Sequence, residues 1–331
     1  MIHKVHFGKR IASYRKQQAW SQAELAEKLG VTSQAVSKWE TGAALPDIDL
    51  LLELSHLYGV SINELLEDRD ILKTLAVQSY KDEGAAMFDS AAEVHKEWAR
   101  DMAREGWIAR SWQAAKLPEK RGEQEIGRQI AEEGGLILEL GAGPGGGFMP
   151  YILQADPDAS MIVSDMSPTV VLEWKKFLDK ELDSPNLSYA AFDYCQIPIR
   201  DSCIDIVSDY GGIANAITAK CEPGDKEAAL KEAYRVLKPG GLLVTASGFV
   251  TRDTLAALPE HAQKALCKER PDIFDDLYEE TVLAGFREID STIIGYRDTD
   301  DDESGVADLA RSLGVNVRFT EYVRLCKKQL L

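Results

Sequence analysis

The thirteen residues LILELGAGPGGGF at 136–148 constrain this chain more than any other segment. An apolar run broken by one acid reads as a strand. Five glycines, at 141, 143 and 145–147, then predict a tight turn whose backbone can approach a ligand, with a helix beyond it. The same alternation continues downstream: MIVSD (161–165) and a helix from Pro168, LSYAAF (187–192) and a polar segment, then IDIVSDY (204–210). The helix KEAALKEAYRVL, the turn Lys238-Pro239-Gly240-Gly241 and the strand LLVTAS follow. Strands separated by helices predict a parallel sheet of βαβ units. The end differs: REIDSTIIGY (287–296) and VRFTEYVRLC (317–326) are two strand-like runs suited to an antiparallel pair at the sheet edge. Between them lie five acids in the six residues from Asp298 to Glu303, read as a solvated loop rather than a metal site.

The N-terminal region has a different character. Residues 1–67 show only helical periodicity, and Glu67-Asp68-Arg69-Asp70 reads as a turn that closes the block. Within SQAELAEKLGVTSQAVSKWET (21–41), Ser21 is placed to cap a helix with Glu24 three residues on, and Leu25, Ala26 and Leu29 share one face. Gly30 suits a sharp helix-ending turn. Thr32 caps the next helix, which turns Val36 and Trp39 inward and Ser33, Gln34, Ser37 and Lys38 outward. Two short helices joined by a few residues including glycine are the helix-turn-helix layout. Three regions are predicted: a DNA-binding block at 1–67, a helical linker or lid at 68–133 carrying Trp98, Trp107 and Trp112, and an α/β domain at 134–331.

Charge sharpens the division. The chain carries a net −17, which is unfavourable for nucleic acid, yet residues 1–40 hold seven Lys/Arg against three Glu (+4) while 41–70 hold one Arg against seven acids (−6). Any contact with double-stranded DNA is thereby confined to residues 1–40. The first residues lack the apolar core of a signal peptide, and no apolar run approaches the roughly 18 residues of a membrane span. Five scattered cysteines without a C-x-x-C spacing argue against a disulfide framework or a structural zinc site. A cytoplasmic protein without a membrane association is expected.

The glycines alone do not identify the ligand, because Gly141, Gly143 and Gly146 also satisfy the dinucleotide pattern G-x-G-x-x-G. Their acidic neighbours narrow the choice. Glu139 ends its strand two residues before the first glycine, where a carboxylate suits a cationic methionine amino group. Asp165 ends the next strand 24 residues after Gly141, at the reach of a ribose diol. Asp193 ends the third strand-like run and can accept from an adenine amino group.

On these residues, the run from Phe7 to about Leu66 resembles the lambda-repressor-like (XRE) DNA-binding domains, through Arg15, Gln22, Leu25-Ala26, Gly30-Val31, Ser37-Lys38-Trp39-Glu40 and Gly42. That resemblance implies a second motif helix in the major groove, with Ser33, Gln34, Ser37 and Lys38 facing bases or phosphates. Gln22 would hold a phosphate, Arg15 and Glu40 would form a structural ion pair, and the protein would act as a homodimer. Segment 136–247 resembles the class I methyltransferases of the small-molecule group, with ELGAGPG, SDMSP, FDYCQIPIRDSCIDIVSDY and EAYRVLKPGGLLVTAS in that family's order. The implied fold is an all-α helix-turn-helix domain followed by an α/β Rossmann-like domain, its sheet mostly parallel with an antiparallel edge strand. The implied cofactor is S-adenosyl-L-methionine, held by Glu139, Gly141, Ala142, Gly143, Asp165, Met166, Asp193, Tyr194 and Asp209, with Asp209 and Tyr210 beside the sulfonium. Methyl transfer needs alignment more than a catalytic triad, so a base matters only for some nucleophiles; Asp209, Tyr210 and His95 are the candidates. Phe249–Pro271 is a further candidate substrate wall.

The acceptor reads as a small molecule. Amino-methylating DNA enzymes carry an Asn or Asp, two prolines and an aromatic where this chain has Ser208-Asp209-Tyr210-Gly211, and Cys195 follows Tyr194 rather than a proline. The alternative is a transcriptional regulator whose second domain only senses S-adenosylmethionine or a metabolite.

Overall fold

The computed structural model of this chain describes residues 4–60, 62, 65, 80–82, 85–88, 91, 106–182, 186–214, 226–270, 277–301 and 305–329. It divides into two compact units, Met1–Lys73 and Thr74–Leu331.

The first unit is helical. Among the described residues its helices include α1 (Lys4–Gln17), α2 (Gln22–Lys28), α3 (Ser33–Glu40) and α4 (Ile48–Tyr58). Its helix starts are set locally. Ser21 and Glu24 form a reciprocal capping box on α2, with Glu24 N donating to Ser21 Oγ at 3.2 Å and Ser21 N to Glu24 Oε2 at 2.6 Å. Thr32 Oγ1 accepts from Ala35 N to start α3, and Asp47 Oδ1 from Leu50 N to start α4. The predicted inward residues Leu25, Ala26, Leu29, Val36 and Trp39 are all buried, with Phe7, Ile11, Leu51, Leu54 and Leu65 completing the core. A Cβ at Gly8 would stand 2.2 Å from the Trp39 carbonyl oxygen, so only glycine lets α1 lie this close to α3.

The second unit is a nine-stranded sheet: β1 (Tyr80–Asp82), β2 (Ala85–Met87), β3 (Leu136–Leu140), β4 (Ser160–Asp165), β5 (Leu187–Ala191), β6 (Ile204–Tyr210), β7 (Leu237–Phe249), β8 (Phe286–Asp298) and β9 (Arg318–Lys328). Their order across the sheet is β1-β2-β5-β4-β3-β6-β7-β9-β8. Strands β2 to β7 run parallel, and β9 lies antiparallel between β7 and β8. The Rossmann-like, mostly parallel architecture expected from the sequence is present, with its antiparallel strands at the C-terminal edge. One detail differs: the last strand in sequence is interior, and β8 forms the edge. The strand order reverses at β3, so the crevice at the carboxyl ends of β3 and β6 is the switch point where such sheets bind ligands.

The helices of this unit are α5 (Trp107–Ala114), α6 (Arg121–Glu133), α7 (Met149–Ala155), α8 (Pro168–Glu181), α9 (Lys226–Val236), α10 (Arg252–Ala256), α11 (Glu260–Glu269), α12 (Tyr278–Leu283) and α13 (Gly305–Ser312). The main core joins α5, α6, α7 and α8 to one sheet face through Trp112, Ile126, Ile130, Phe148, Ile152, Trp174 and Leu178. Residues 68–133 were expected to be helical, but Tyr80–Asp82 and Ala85–Met87 form a hairpin that extends the sheet beside β5. Three-residue strands are too short to imprint a period of two on the sequence. A second small core (Val250, Leu255, Leu266, Val306, Ala310, Val317, Phe319) gathers α10, α11 and α13 beyond the carboxyl end of β7.

Candidate functional site

The glycine turn folds back onto the strand it leaves. Strand β3 is buried along its whole length, so the chain must reverse sharply to reach α7. Gly147 has φ +58, and a Cβ there would sit 1.8 Å from Glu139 Oε1. The turn therefore closes directly over the Glu139 side chain. Phe148 N donates to Glu139 Oε1 at 3.0 Å, and Ser208 Oγ on β6 donates to Oε2 at 2.5 Å. Glu139 has no exposed surface, and burial holds its carboxyl well above the ordinary carboxylate range despite hydrogen bonds from Ser208 and from the Phe148 and Met149 amides.

Neighbouring strands fasten the same turn from other sides. Gly143 N donates to Asp165 Oδ2 at 2.8 Å, while Ser167 N donates to Oδ1 at 2.8 Å. Ala142 N donates to the Ser164 carbonyl, and Trp174 Nε1 reaches down from α8 to the Gly143 carbonyl at 2.7 Å. On β6, Asp209 is fully buried. Its Oδ1 accepts from Ile213 N at 2.9 Å and its Oδ2 from Thr245 Oγ1 at 2.8 Å. Burial pushes its carboxyl up to about 7. Asp209 thus holds the turn 211–213, and that turn meets the glycine loop: Gly212 Cα and Tyr194 Cε1 each lie 3.6 Å from where a Gly141 Cβ would be. Tyr194 Oη donates to the Gly212 carbonyl at 3.1 Å.

The structure therefore brings Glu139, Gly141, Ala142, Gly143, Asp165, Tyr194 and Asp209 around one loop at the carboxyl end of the sheet. Asp193 is buried and its Oδ1 caps its own turn through Cys195 N at 2.8 Å. Met166 is buried at the end of β4. Tyr210 stands to one side, its ring packed on Phe148 at 5.0 Å. Among the described residues no lysine or arginine pairs with Glu139 or Asp209, whose oxygens are held by the neutral donors named above. Both carboxyls are fully buried with their oxygens already accepting hydrogen bonds, so they fix the shape of the loop and the turn that a ligand would meet.

His95 and Trp98 lie outside the described residues. Trp112 is buried edge-on against Phe177 at 5.9 Å, where it packs α5 onto α8; Trp107 is half-buried with the Arg110 guanidinium at 5.0 Å. The segment Phe249–Pro271 supplies α10 and α11. Sequence reading missed Ser208, Thr245 and Trp174. Each acts through one hydrogen bond to a partner 31 to 69 residues away, and no local pattern marks such a residue.

In the first unit Ser33, Gln34 and Lys38 are exposed on α3 and Ser37 is half-buried. Gln22 differs from the simple expectation of a free phosphate ligand: its Nε2 donates to Glu40 Oε2 at 2.7 Å. That carboxylate also receives Arg15 Nε at 2.6 Å and Nη2 at 2.9 Å. The Arg15–Glu40 pair ties α1 to α3 and holds Gln22 beside it.

These two arrangements define a DNA-reading module and a methyl-transfer fold in one chain. The helix-turn-helix family matches residues 11–65, and the methyltransferase domain family matches residues 138–245. The chain belongs to the helix-turn-helix family through its N-terminal unit, and residues 138–245, later in the sequence, match the methyltransferase domain family. It is 38% identical over 104 residues to the HTH-type transcriptional regulator ImmR of Bacillus subtilis, covering 28% of this chain and 82% of ImmR. It is 35% identical over 147 residues to an uncharacterized methyltransferase-like protein of Schizosaccharomyces pombe, covering 43% of this chain and 49% of that one. It is 29% identical over 105 residues to the ubiquinone/menaquinone biosynthesis C-methyltransferase UbiE of Acidiphilium cryptum (32% and 39%). The match thus spans half or less of these two methyltransferase relatives. Among solved structures, YcgJ of Bacillus subtilis matches with TM-score 0.44 at 14% identity, over 63% of this chain and 98% of that one. Phosphoethanolamine N-methyltransferase 2 of Haemonchus contortus, in complex with S-adenosyl-L-methionine, matches with TM-score 0.40 at 16% identity (59% and 49%). At these scores the likeness says nothing about activity. No described helix is long and apolar enough to cross a membrane.

Proposed function

We propose that this chain is a cytoplasmic, homodimeric DNA-binding methyltransferase that uses S-adenosyl-L-methionine to methylate a small molecule and thereby couples metabolism to transcription. One observation carries the reading: the glycine loop, closed over the buried Glu139, meets the Asp165 carboxylate and the turn held by Asp209 at the sheet's switch point. The residues fit the group. Gly141 to Gly143 offer backbone at close approach, Asp165 offers a carboxylate at a strand end for the ribose, and Asp193 and Met166 lie in the turns after β5 and β4 for the adenine. When bound, S-adenosyl-L-methionine supplies an activated methyl on a good leaving group. What the chain adds is alignment and exclusion of water. Glu139 fixes the loop's closure, Asp209 fixes the opposing turn, and Trp174 holds the Gly143 carbonyl. Ser33, Gln34, Ser37 and Lys38 contact an operator, with Gln22 positioned for a phosphate.

The test has three arms. Calorimetric titration with S-adenosylhomocysteine should give micromolar binding, weakened at least tenfold by Asp165→Ala; no binding by the wild type would refute the cofactor assignment. Transfer of labelled methyl from S-adenosyl-L-methionine to a component of cell extract supports catalysis. Binding without any transfer would favour the pure sensor. For DNA, the double variant Gln34→Ala/Lys38→Ala should lower operator affinity by about 10- to 100-fold in a gel shift, each base contact being worth ~1–3 kcal/mol.

A further inference from the structure

Beside the cofactor loop lies a polar group that neither family pattern includes. Glu321 on β9 stands directly opposite Gly248 on β7 and Gly295 on β8, so both of its neighbours across the sheet lack side chains. A Cβ at Gly295 would lie 2.9 Å from Glu321 Oε2, and one at Gly248 would lie 3.1 Å from Arg297 Nη2. The two glycines therefore clear a slot in which Arg297 and Glu321 lie flat across three strands, with Arg297 Nε 2.8 Å from Glu321 Oε1. Tyr210 pairs with Ala246, and Gly248 is two residues further along β7, so Tyr210 and Glu321 share one face of the sheet. Above that face Tyr151 comes from α7, the helix the glycine loop opens into. The first turn of α6 packs against Ile294 of β8 and brings the buried Glu123. The Tyr210 hydroxyl is held above its ordinary range first by burial, then by Glu321, Glu123 and Tyr151, with Arg297 alone opposing. Both carboxylates are paired, Glu123 with Lys120 at 2.7 Å and Glu321 with Arg297 at 2.8 Å, but Glu321 keeps more exposed surface, so it is the one that a ligand displacing Arg297 would reach.

We infer that Glu321, with Tyr210 and Tyr151, forms the methyl-acceptor subsite, and that the acceptor presents an amine there. This inference rests on the cofactor reading above. The acceptor's nitrogen donates a hydrogen bond to the Glu321 carboxylate, and it attacks the methyl through its lone pair once its extra proton has passed to solvent. Arg297 is a positioning residue: it occupies the carboxylate in the absence of acceptor and keeps it from being buried unpaired.

The test uses the full chain saturated with S-adenosylhomocysteine and reads weak ligands by saturation-transfer difference NMR. The probes are ethanolamine, propionate and phenol. Ethanolamine should receive saturation from the wild type, about tenfold more than propionate. Glu321→Gln should abolish that signal, whereas Arg297→Gln, which frees the carboxylate, should raise it about threefold. A purely structural ion pair would instead make both variants weaken it. Equal ethanolamine signals in wild type and Glu321→Gln, or a stronger propionate signal, would overturn the inference. S-adenosylhomocysteine affinity should stay within twofold in both variants, which verifies folding. Failure of the wild type to bind S-adenosylhomocysteine overturns the cofactor reading instead, so the two failures are distinct.

Discussion

Replacing Gly147 by alanine tests whether the glycine loop is closed by Glu139. The backbone there has φ +58, a conformation that costs a residue with a Cβ ~1–2 kcal/mol. The new methyl would also stand 1.8 Å from Glu139 Oε1 and 2.7 Å from Cδ. Glu139 is fully buried between Ser208 and the Phe148 and Met149 amides and has nowhere to retreat, so at least one of its hydrogen bonds must break. A buried donor or acceptor left unmade costs ~1–3 kcal/mol. Together these predict a loss of ~2–5 kcal/mol in the methyltransferase unit, which for a unit of this size lowers its transition by about 5 to 15 °C. Gly145 is the control, since a Cβ there would meet nothing within 4 Å and its φ is not positive; Gly145→Ala should shift stability by less than about 0.5 kcal/mol. The assay is urea denaturation followed by tryptophan fluorescence, with the midpoint and slope of both variants compared. A cycle with Glu139→Ala adds a second reading: removing the carboxylate removes the clash, so the double variant should be ~1–3 kcal/mol more stable than the sum of the singles. Equal stability of Gly147→Ala and Gly145→Ala, or strict additivity with Glu139→Ala, would refute the closure argument.

Trp174→Phe keeps an aromatic ring in the core but deletes the donor to the Gly143 carbonyl, so stability should fall by ~1 kcal/mol; S-adenosylhomocysteine affinity should fall by roughly fivefold, and unchanged affinity would show that the loop does not need that anchor. Asp209 is held up near 7 when folded against an ordinary aspartate value near 4 when unfolded. Between those values the folded state binds the extra proton, so its contribution to stability declines as pH rises from about 4 to 7 and is flat above. Asp209→Asn should therefore gain in stability relative to wild type between pH 5 and pH 8, by an amount on the order of a few kcal/mol; a pH-independent difference in urea midpoints would contradict the assignment. Gly8→Ala drives a methyl to 2.2 Å from the Trp39 carbonyl, an overpacking worth ~1–3 kcal/mol. It should abolish DNA binding in a gel shift while leaving the methyltransferase unit's own thermal transition unmoved, and retained binding would show that α1 can yield.

Much of the architecture was legible because it is encoded locally. Ser21 and Glu24, Thr32, and Asp47 satisfy the first amide groups of helices within four residues of themselves, so the starts of α2, α3 and α4 are written in short stretches of sequence. LILEL, MIVSD and IDIVSDY are short, mainly apolar and β-branched stretches with an acid near the end, and they are the central parallel strands. The hairpin at 80–87 was not legible, because its pairing with β5 depends on residues about a hundred positions downstream. The position of β9 inside the sheet was equally hidden: a strand's own pattern reports how its faces are buried and not which strands flank it.

The sequence by itself determined the two-part plan, the helix-turn-helix geometry and the glycine turn between a strand and a helix, since each follows from hydrogen bonds and torsion angles within a few residues. Only the tertiary structure decided what each acid does. Glu139 became a loop clamp because Ser208 arrives on the neighbouring strand, Asp209 a clamp because Thr245 does, and Glu321 the partner of Arg297 because the glycines on both flanking strands leave room for the pair. The work of a carboxyl group depends on which donors and how much water surround it, and those come from chain segments far apart in sequence.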